Sequence, residues 1–376
     1  MTGKIFVMLF FILSIIRAQD KRIDIIIENI IGDDINARKE YIFQGPEIIR
    51  TDSRNNIYVA DKKSFEIRKF SKEGKYILSI GRAGDGPGEF RNIKNLTVDN
   101  QDHVIVIDQI LGRITTFSPE GKYMASDNIK SEFRDVSKLI SYNNNEFIGL
   151  QLFSLKYGEH GNKIVIIDNS FKNILTSFAH TSIFWKYEND FEKFMETFSM
   201  LNFLVVNNDR VVVTKEIYDG NLYVFDKKNN WSVRVVKSGI SLPKQYEIYK
   251  EIIKMDDKRM KLGRAFLTSM KINDKLQMYT FIVSTRSLGL FNYKNKYLLN
   301  FINVCKNDNS VFGLEVHSID GTYLGYCHIN IENLPKYGPA NFVLYMDNEN
   351  SFYMKSYSKE SIPVIVKFKI KKLEGF

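Results

Sequence analysis

The chain has 376 residues, 44% of them hydrophobic and 26% charged, and carries a formal net charge of +9. Only 7 prolines and no low-complexity run exclude an extended disordered region, and the length suits two average domains or one large all-β domain. The Lys and Arg residues are scattered without a dense block, so the charge reads as solvated surface.

The first residues read as a targeting segment. Lys4 gives a short positive start, Ile5 to Ile16 is apolar apart from Ser14, Ala18 closes the run, and Gln19-Asp20-Lys21-Arg22 turns polar. The apolar run is far short of the roughly 20 residues a membrane span needs. Residues 1–18 are therefore expected to be a cleavable secretory leader, cut after Ala18, with Arg17 an unusual neighbour of the cut. No Cys follows the run, which excludes a lipid anchor on a new N-terminal Cys, and no later segment is apolar enough to span. Loss of Lys4 and Arg17 lowers the net charge of +9 by two, to +7. Such a chain favours acidic partners. Export to the periplasm or beyond argues against nucleic acid.

Arg22-Ile23-Asp24-Ile25-Ile26-Ile27-Glu28 is a strand pattern without a partner near it in sequence. An internal repeat follows. Thr51-Asp52-Ser53-Arg54-Asn55-Asn56-Ile57-Tyr58-Val59-Ala60-Asp61 matches Val98-Asp99-Asn100-Gln101-Asp102-His103-Val104-Ile105-Val106-Ile107-Asp108 at an offset of 47, which Phe70 and Phe117 keep. So do Ser71-Lys72-Glu73-Gly74-Lys75-Tyr76 and Ser118-Pro119-Glu120-Gly121-Lys122-Tyr123. A repeat of this length built of short strands points to propeller blades. The first unit resolves into strands 48–51, 57–60, 66–70 and 76–80, with Gly74 turning the last hairpin.

Later units are degenerate. Strands at 136–142, 147–153, 163–167 and 174–178 make a third blade, and 203–206, 211–216, 222–225 and 233–236 a fourth. A fifth uses 278–283, 297–304, 313–318 and 323–329. The sixth offers only 342–346, 352–357 and 364–370, so the N-terminal strand is expected to supply its fourth strand and close the ring. Ser241, Pro243 and Gly263 punctuate a helix over about 243–263, packed on the propeller or covering a ligand site. The fold expected is all-β: one six-bladed β-propeller domain of four-stranded antiparallel blades over 19–376, with this single helical insertion, and a monomer.

Gly81-Arg82-Ala83-Gly84-Asp85-Gly86-Pro87-Gly88-Glu89-Phe90 joins the first two blades. Four glycines and a proline in ten residues make a shaped loop, and no Gly-Lys-Ser/Thr follows to make it a phosphate loop. Gly84, Gly86 and Gly88 are candidates for positive φ, and Pro87 stiffens the turn. The structural reading is that the loop positions blade two against blade one. The functional reading is that Arg82, Asp85 and Glu89 form a binding rim. Asp61 and Asp108 end their second strands, where they are expected to accept bonds from turn amides, the alternative being a place in a central channel. The turns at Asp52, Asp99 and Asp347 lack the spacing of a calcium loop.

Gly-Asp-Gly-Pro-Gly-Glu-Phe at 84–90, the short strand to Asp108, and Phe117-Ser118-Pro119-Glu120-Gly121-Lys122 resemble the exported bacterial six-bladed β-propellers with NHL-like repeats. Arg113-Ile114 with Phe117 resembles the Arg-Ile and following Phe of those repeats, and Glu66 in the Arg113 place of blade one departs from them. The resemblance covers about Gly45 to Tyr123 and implies a fold without a single activity or catalytic set. Five histidines, His103, His160, His180, His317 and His328, make no metal-binding pattern, and no Gly-x-Ser-x-Gly elbow occurs. No metal or cofactor is expected. The leading functional expectation is a non-catalytic binding or scaffold propeller presenting loops to a protein, peptide or glycan. The alternative is a lyase or hydrolase acting at the central channel. Cys305 and Cys327 allow one disulfide or two separate buried thiols.

Overall fold

The computed structural model describes residues 22–32, 38–143, 146–154, 160–183, 200–240, 242, 246–249, 265–272, 275–283, 285–306, 309–330, 345–358, 361–373 and 376. The expected leader lies outside them. The described chain opens with β1 (Arg22–Ile31). Blade one follows as β2 (Pro46–Thr51), β3 (Ile57–Asp61), β4 (Glu66–Phe70) and β5 (Tyr76–Ile80). Blade two is β6 (Ile93–Val98), β7 (Val104–Asp108), β8 (Arg113–Phe117) and β9 (Tyr123–Asn128), and blade three is β10 (Val136–Ser141), β11 (Glu146–Ser154), β12 (His160–Asp168) and β13 (Ile174–Ile183). Blade four is β14 (Leu201–Asn207), β15 (Arg210–Lys215), β16 (Asn221–Asp226) and β17 (Ser232–Lys237).

Next come β18 (Tyr246–Tyr249), β19 (Ala265–Ile272) and β20 (Lys275–Val283), a three-stranded sheet of its own in the order β18-β20-β19. Blade five is β21 (Thr285–Tyr293), β22 (Tyr297–Lys306), β23 (Asn309–Ser318) and β24 (Tyr323–Asn330). Blade six is β25 (Tyr345–Met346), β26 (Phe352–Tyr357) and β27 (Pro363–Ile370) with β1 as its outermost strand.

The second strands explain the fold. All five residues of β3 and of β7 are buried, because a propeller blade is covered on both faces. Tyr58 and Ala60 pack toward blade two, whereas Ile57 and Val59 pack toward blade six. Val104 and Val106 face blade one, and Ile105 and Ile107 face blade three. The period-2 pattern thus persists inside a continuous apolar run, each parity serving a different neighbour. Among the described residues, buried apolar clusters join blades one and two, two and three, three and four, four and five, five and six, and six and one. The ring closes with six interfaces, and the three-stranded sheet stands outside it.

β1 closes blade six as expected, running antiparallel to β27 with Ile25 opposite Ile370 and Ile31 opposite Ile365. It also begins parallel to β24, with Arg22 opposite His328, and so joins blades five and six into one eight-stranded sheet. Lysines add polar staples between blades. Lys69 Nζ donates to Pro119 O in the last hairpin of blade two at 2.9 Å, and Lys367 Nζ to Lys72 O in that of blade one at 3.2 Å. Each keeps an acidic partner in its own blade, Asp52 at 3.3 Å and Asp347 at 3.7 Å, and each lies over a buried tyrosine ring, Tyr58 and Tyr353.

Two expectations need correction. The innermost strand of blade five is Thr285–Tyr293; residues 278–283 belong to β20 of the separate sheet. Tyr246–Tyr249, expected within a helix, forms a strand paired with Thr280–Val283, while 250–264 lie outside the described residues. Serine, proline and glycine punctuation marks where a segment begins and ends, but the available ladder decides what lies between. In the sixth blade only Tyr345–Met346 of the expected first strand is described. Cys327 sits opposite Leu314, itself opposite Phe301, so Cys305 is four residues, about 13 Å, farther along β22 and beyond disulfide reach.

Candidate functional site

Blade connections and the turns after second strands share one face of the ring. The carboxylates that end β3 and β7 organise that face. Asp61 accepts Gln44 N at 2.8 Å and Gly45 N at 2.7 Å; Asp108 accepts Arg91 N at 2.7 Å, Asn92 N at 3.1 Å and Leu111 N at 2.9 Å. Both are fully buried. They fasten the incoming chain to the start of its blade, and Asp108 also holds the amide of Leu111 in the turn that follows it.

The connection 81–91 folds back on itself. Phe90 N donates to Arg82 O at 2.7 Å, Gly84 N to Phe90 O at 3.1 Å and Glu89 N to Gly86 O at 3.1 Å. Phe90 itself is fully buried. Arg113 donates to three loop carbonyls, Asp85 O at 3.0 Å, Gly86 O at 2.6 Å and Glu89 O at 2.7 Å. Blade one, with Glu66 in the Arg113 place, uses Arg68 instead: its guanidinium bonds Glu66 and donates to Ile42 O at 2.6 Å. Gly84 and Gly88 have φ of +153° and +76°. Gly86 does not share this conformation, and an added Cβ there would meet only the Glu89 carboxylate at 3.0 Å. Positive φ, expected at one or more of the three glycines, thus occurs at 84 and 88, whereas the Gly86 N–H donates to Glu89 Oε2 at 2.8 Å.

The three candidate rim residues come together with a fourth. Arg82 Nε donates to Glu89 Oε1 at 2.8 Å, and Arg91 grips Asp85 through Nε at 2.6 Å and Nη2 at 3.0 Å. Backbone Gly86 and then Arg82 hold the Glu89 carboxyl below its ordinary range, and Arg91 does the same for Asp85. The carboxylates are thus occupied: the Arg82 side chain is 81% exposed over a Glu89 at 21%, and Arg91 at 55% stands beside an equally open Asp85 at 63%. Arg91 was missed in the sequence because no repeat position marks it.

A second polar region starts on the innermost strands of blades three to five and runs outward into blade five. Lys138 on β10 donates to Leu201 O at 2.8 Å and Asn202 Oδ1 at 2.6 Å on β14. Asn202 donates to Ser287 O at 2.9 Å, Ser287 Oγ to Asn300 Oδ1 at 2.7 Å, and Asn300 Nδ2 to Glu315 Oε2 at 2.8 Å. Tyr218 OH at 2.5 Å and Ser238 Oγ complete three donors around the buried Glu315. Burial raises the Glu315 pKa despite them and drives the Tyr218 hydroxyl far up, helped by the Glu315 charge. Arg286 pairs with Glu216 beside this chain. A charged residue inside an apolar strand, Lys138 in 136–140 or Glu315 in 312–316, is the signal that could have marked these groups in the sequence.

On the opposite face a shallow cleft of about 670 Å³ is lined by Asn100, Tyr142, Asn143, Glu146, Asn208 and Lys227 among others. Among the described residues no three His, Cys, Asp or Glu side chains gather closely enough to hold a metal ion, and no helix is long and apolar enough to cross a membrane.

The six interfaces and the strand order define a six-bladed β-propeller. Residues 35–201 match the model of a protein family described as a 6-bladed beta-propeller. Two solved structures share the fold. One, a Bacteroides fragilis protein described as a "Putative exported protein", is 10% identical with a TM-score of 0.53, over 93% of this chain and 99% of that one. The other, a member of the duf4221 family from Bacteroides vulgatus, is 11% identical with a TM-score of 0.50, over 94% of this chain and 100% of that one. No curated protein sequence matches the chain.

Proposed function

We propose that the chain is an exported, non-catalytic binding propeller that presents its blade-connection face to a protein, peptide or glycan bearing acidic groups. The observation that carries this reading is the pair of exposed guanidiniums, Arg82 and Arg91, held in place by Glu89 and Asp85 on a loop of fixed shape. Exposed ion pairs contribute little to stability, and Phe90, Asp108 and Arg113 already seat the loop. The outer charges are therefore surplus to folding, and carboxylate or sulfate groups are what such guanidiniums recognise. The leader pattern of residues 1–18 and the mature charge of +7, the net +9 less Lys4 and Arg17, support export and an acidic partner.

The test offers the purified protein to arrays of acidic and neutral peptides and glycans, beside a variant carrying R82A and R91A. Acidic probes should be retained by the parent and lost in the variant at unchanged Tm. Retention of all acidic binding by the variant, or no binding by the parent, overturns the reading.

A further inference from the structure

The cations along the axis of the ring pose a different problem from those on the rim. Arg50, near the end of β2 in blade one, sends Nη2 to Leu139 O on β10 of blade three at 3.2 Å. The bond bridges the innermost strands of blades one and three past blade two. Its Nη1 bonds Ile49 O at 2.7 Å, the Tyr345 ring lies 5.6 Å from its guanidinium carbon, and its buried Nε has no partner. Lys138, next to Leu139, spends two ammonium donors on Leu201 O and Asn202 Oδ1 and has a third to give. It sits at φ +52° inside a bulge of β10, an uncommon conformation for a side chain other than glycine. Neither cation contacts a carboxylate among the described residues. Glu216, the acid that acts on Lys138, is committed to Arg286. On β6 of the intervening blade, Asn95 is 1% exposed with neither amide atom partnered.

The Arg50 and Lys138 side chains are both half-buried, and two such cations without a counter-charge among the described residues are stabilised when an anion joins them. We propose that the axis between blades one and three is an oxyanion site, taking a carboxylate or phosphate group of a small ligand between Arg50 and Lys138. The remaining Nη N–H groups of Arg50 offer the directed donors that planar oxyanions require, and the third Lys138 N–H supplies a point charge beside them. Burial lowers the Lys138 pKa, and a bound anion would restore it. This site is separate from the rim and stands whether or not the rim binds anything.

Titration calorimetry and melting at constant ionic strength test it, with inorganic phosphate and succinate as probes and sodium chloride as the matched control. At least one probe should bind and raise Tm, and which one does so separates phosphate from carboxylate ligands. R50Q and K138Q should each weaken that probe about ten-fold or more, K138R should retain most of the affinity, and R82A with R91A should leave it unchanged. If R50Q fails to fold, K138Q and K138R decide the matter. Parent protein that binds neither probe beyond chloride, or K138Q that binds as the parent does, overturns the proposal.

Discussion

Phe70 in blade one, Phe117 in blade two and His317 in blade five stand at the same place, just before the serine that opens the hairpin after the third strand. The hairpins are alike. Ser71, Ser118 and Ser318 bond the acidic side chains of Glu73, Glu120 and Asp320, and Gly74, Gly121 and Gly321 turn at φ +80°, +77° and +96°. The next aromatic packs edge-on each time: Tyr76 at 6.0 Å, Tyr123 at 6.3 Å and Tyr323 at 5.4 Å between ring centres. The buried chemistry is not alike. His317 is fully buried, neither ring nitrogen has a partner at hydrogen-bonding geometry, and burial lowers its pKa to about 4, only slightly offset by the Gly321 backbone. Two residues earlier, Arg68, Thr115 and Glu315 share another position, and Glu315 draws donors from Tyr218 and Ser238 in blade four. Turn chemistry is local and survives these replacements. What fills the core position depends on the neighbouring blade.

The largest test cuts the strand that ties the two regions together through blade six. Deleting residues 22–31 removes Ile23, Ile25 and Ile31, all nearly or fully buried. At about 2 kcal/mol each before any ladder bond is counted, the cost is at least about 6 kcal/mol. Chemical denaturation should show unfolding or a greatly reduced midpoint, and an unchanged midpoint would mean the ring closes without this strand. Next, Lys69→Met removes the staple between blades one and two and leaves Asp52 buried. A loss of about 3 kcal/mol is expected, as for other broken buried pairs; a loss under about 1 kcal/mol would make the staple incidental.

His317→Phe converts blade five to the pattern of blades one and two. Between pH 6.5 and 4 the unfolded imidazole binds a proton that the native one does not. The parent therefore keeps full stability above pH 6.5 and loses about 3 kcal/mol as pH falls to 4. The difference between the parent and His317→Phe stability curves should show that slope; parallel curves would mean that His317 is solvated or paired. The smallest effect compares glycines within the connection of blades one and two. Gly88→Ala should cost about 1 kcal/mol through its positive φ, and Gly86→Ala distinctly less. Equal costs would show that the loop relaxes around either side chain.

The repeat of 47 residues, the hairpin turn at Gly74 and the closing strand at Arg22 were all legible. Each rests on a local pattern: alternation along a strand, glycine at a hairpin, or a blade short of one strand. The strands flanking the hairpin at Ser318–Gly321 were read at 313–318 and 323–329, but its kinship to the first two hairpins was hidden because His317 stands where they carry Phe. Arg82, Asp85 and Glu89 lie on one loop by their places in the chain. Their pairing with Arg91 and Arg82 was not visible, since it depends on how that loop folds back through Phe90.

By itself the sequence determined that the chain builds four-stranded units and closes them into a ring, because strand period and turn residues act over a few positions. Tertiary structure alone decided which side chains meet between blades. Arg50 reaches Leu139 across 89 residues, Tyr218 reaches Glu315 across 97, and Lys367 reaches Lys72 across 295. It also placed residues 246–249 in a sheet instead of a helix, where the paired strand at 280–283 supplied a ladder that local punctuation could not foretell. Contacts of that range arise only when blades stack, so no spacing along the chain records them.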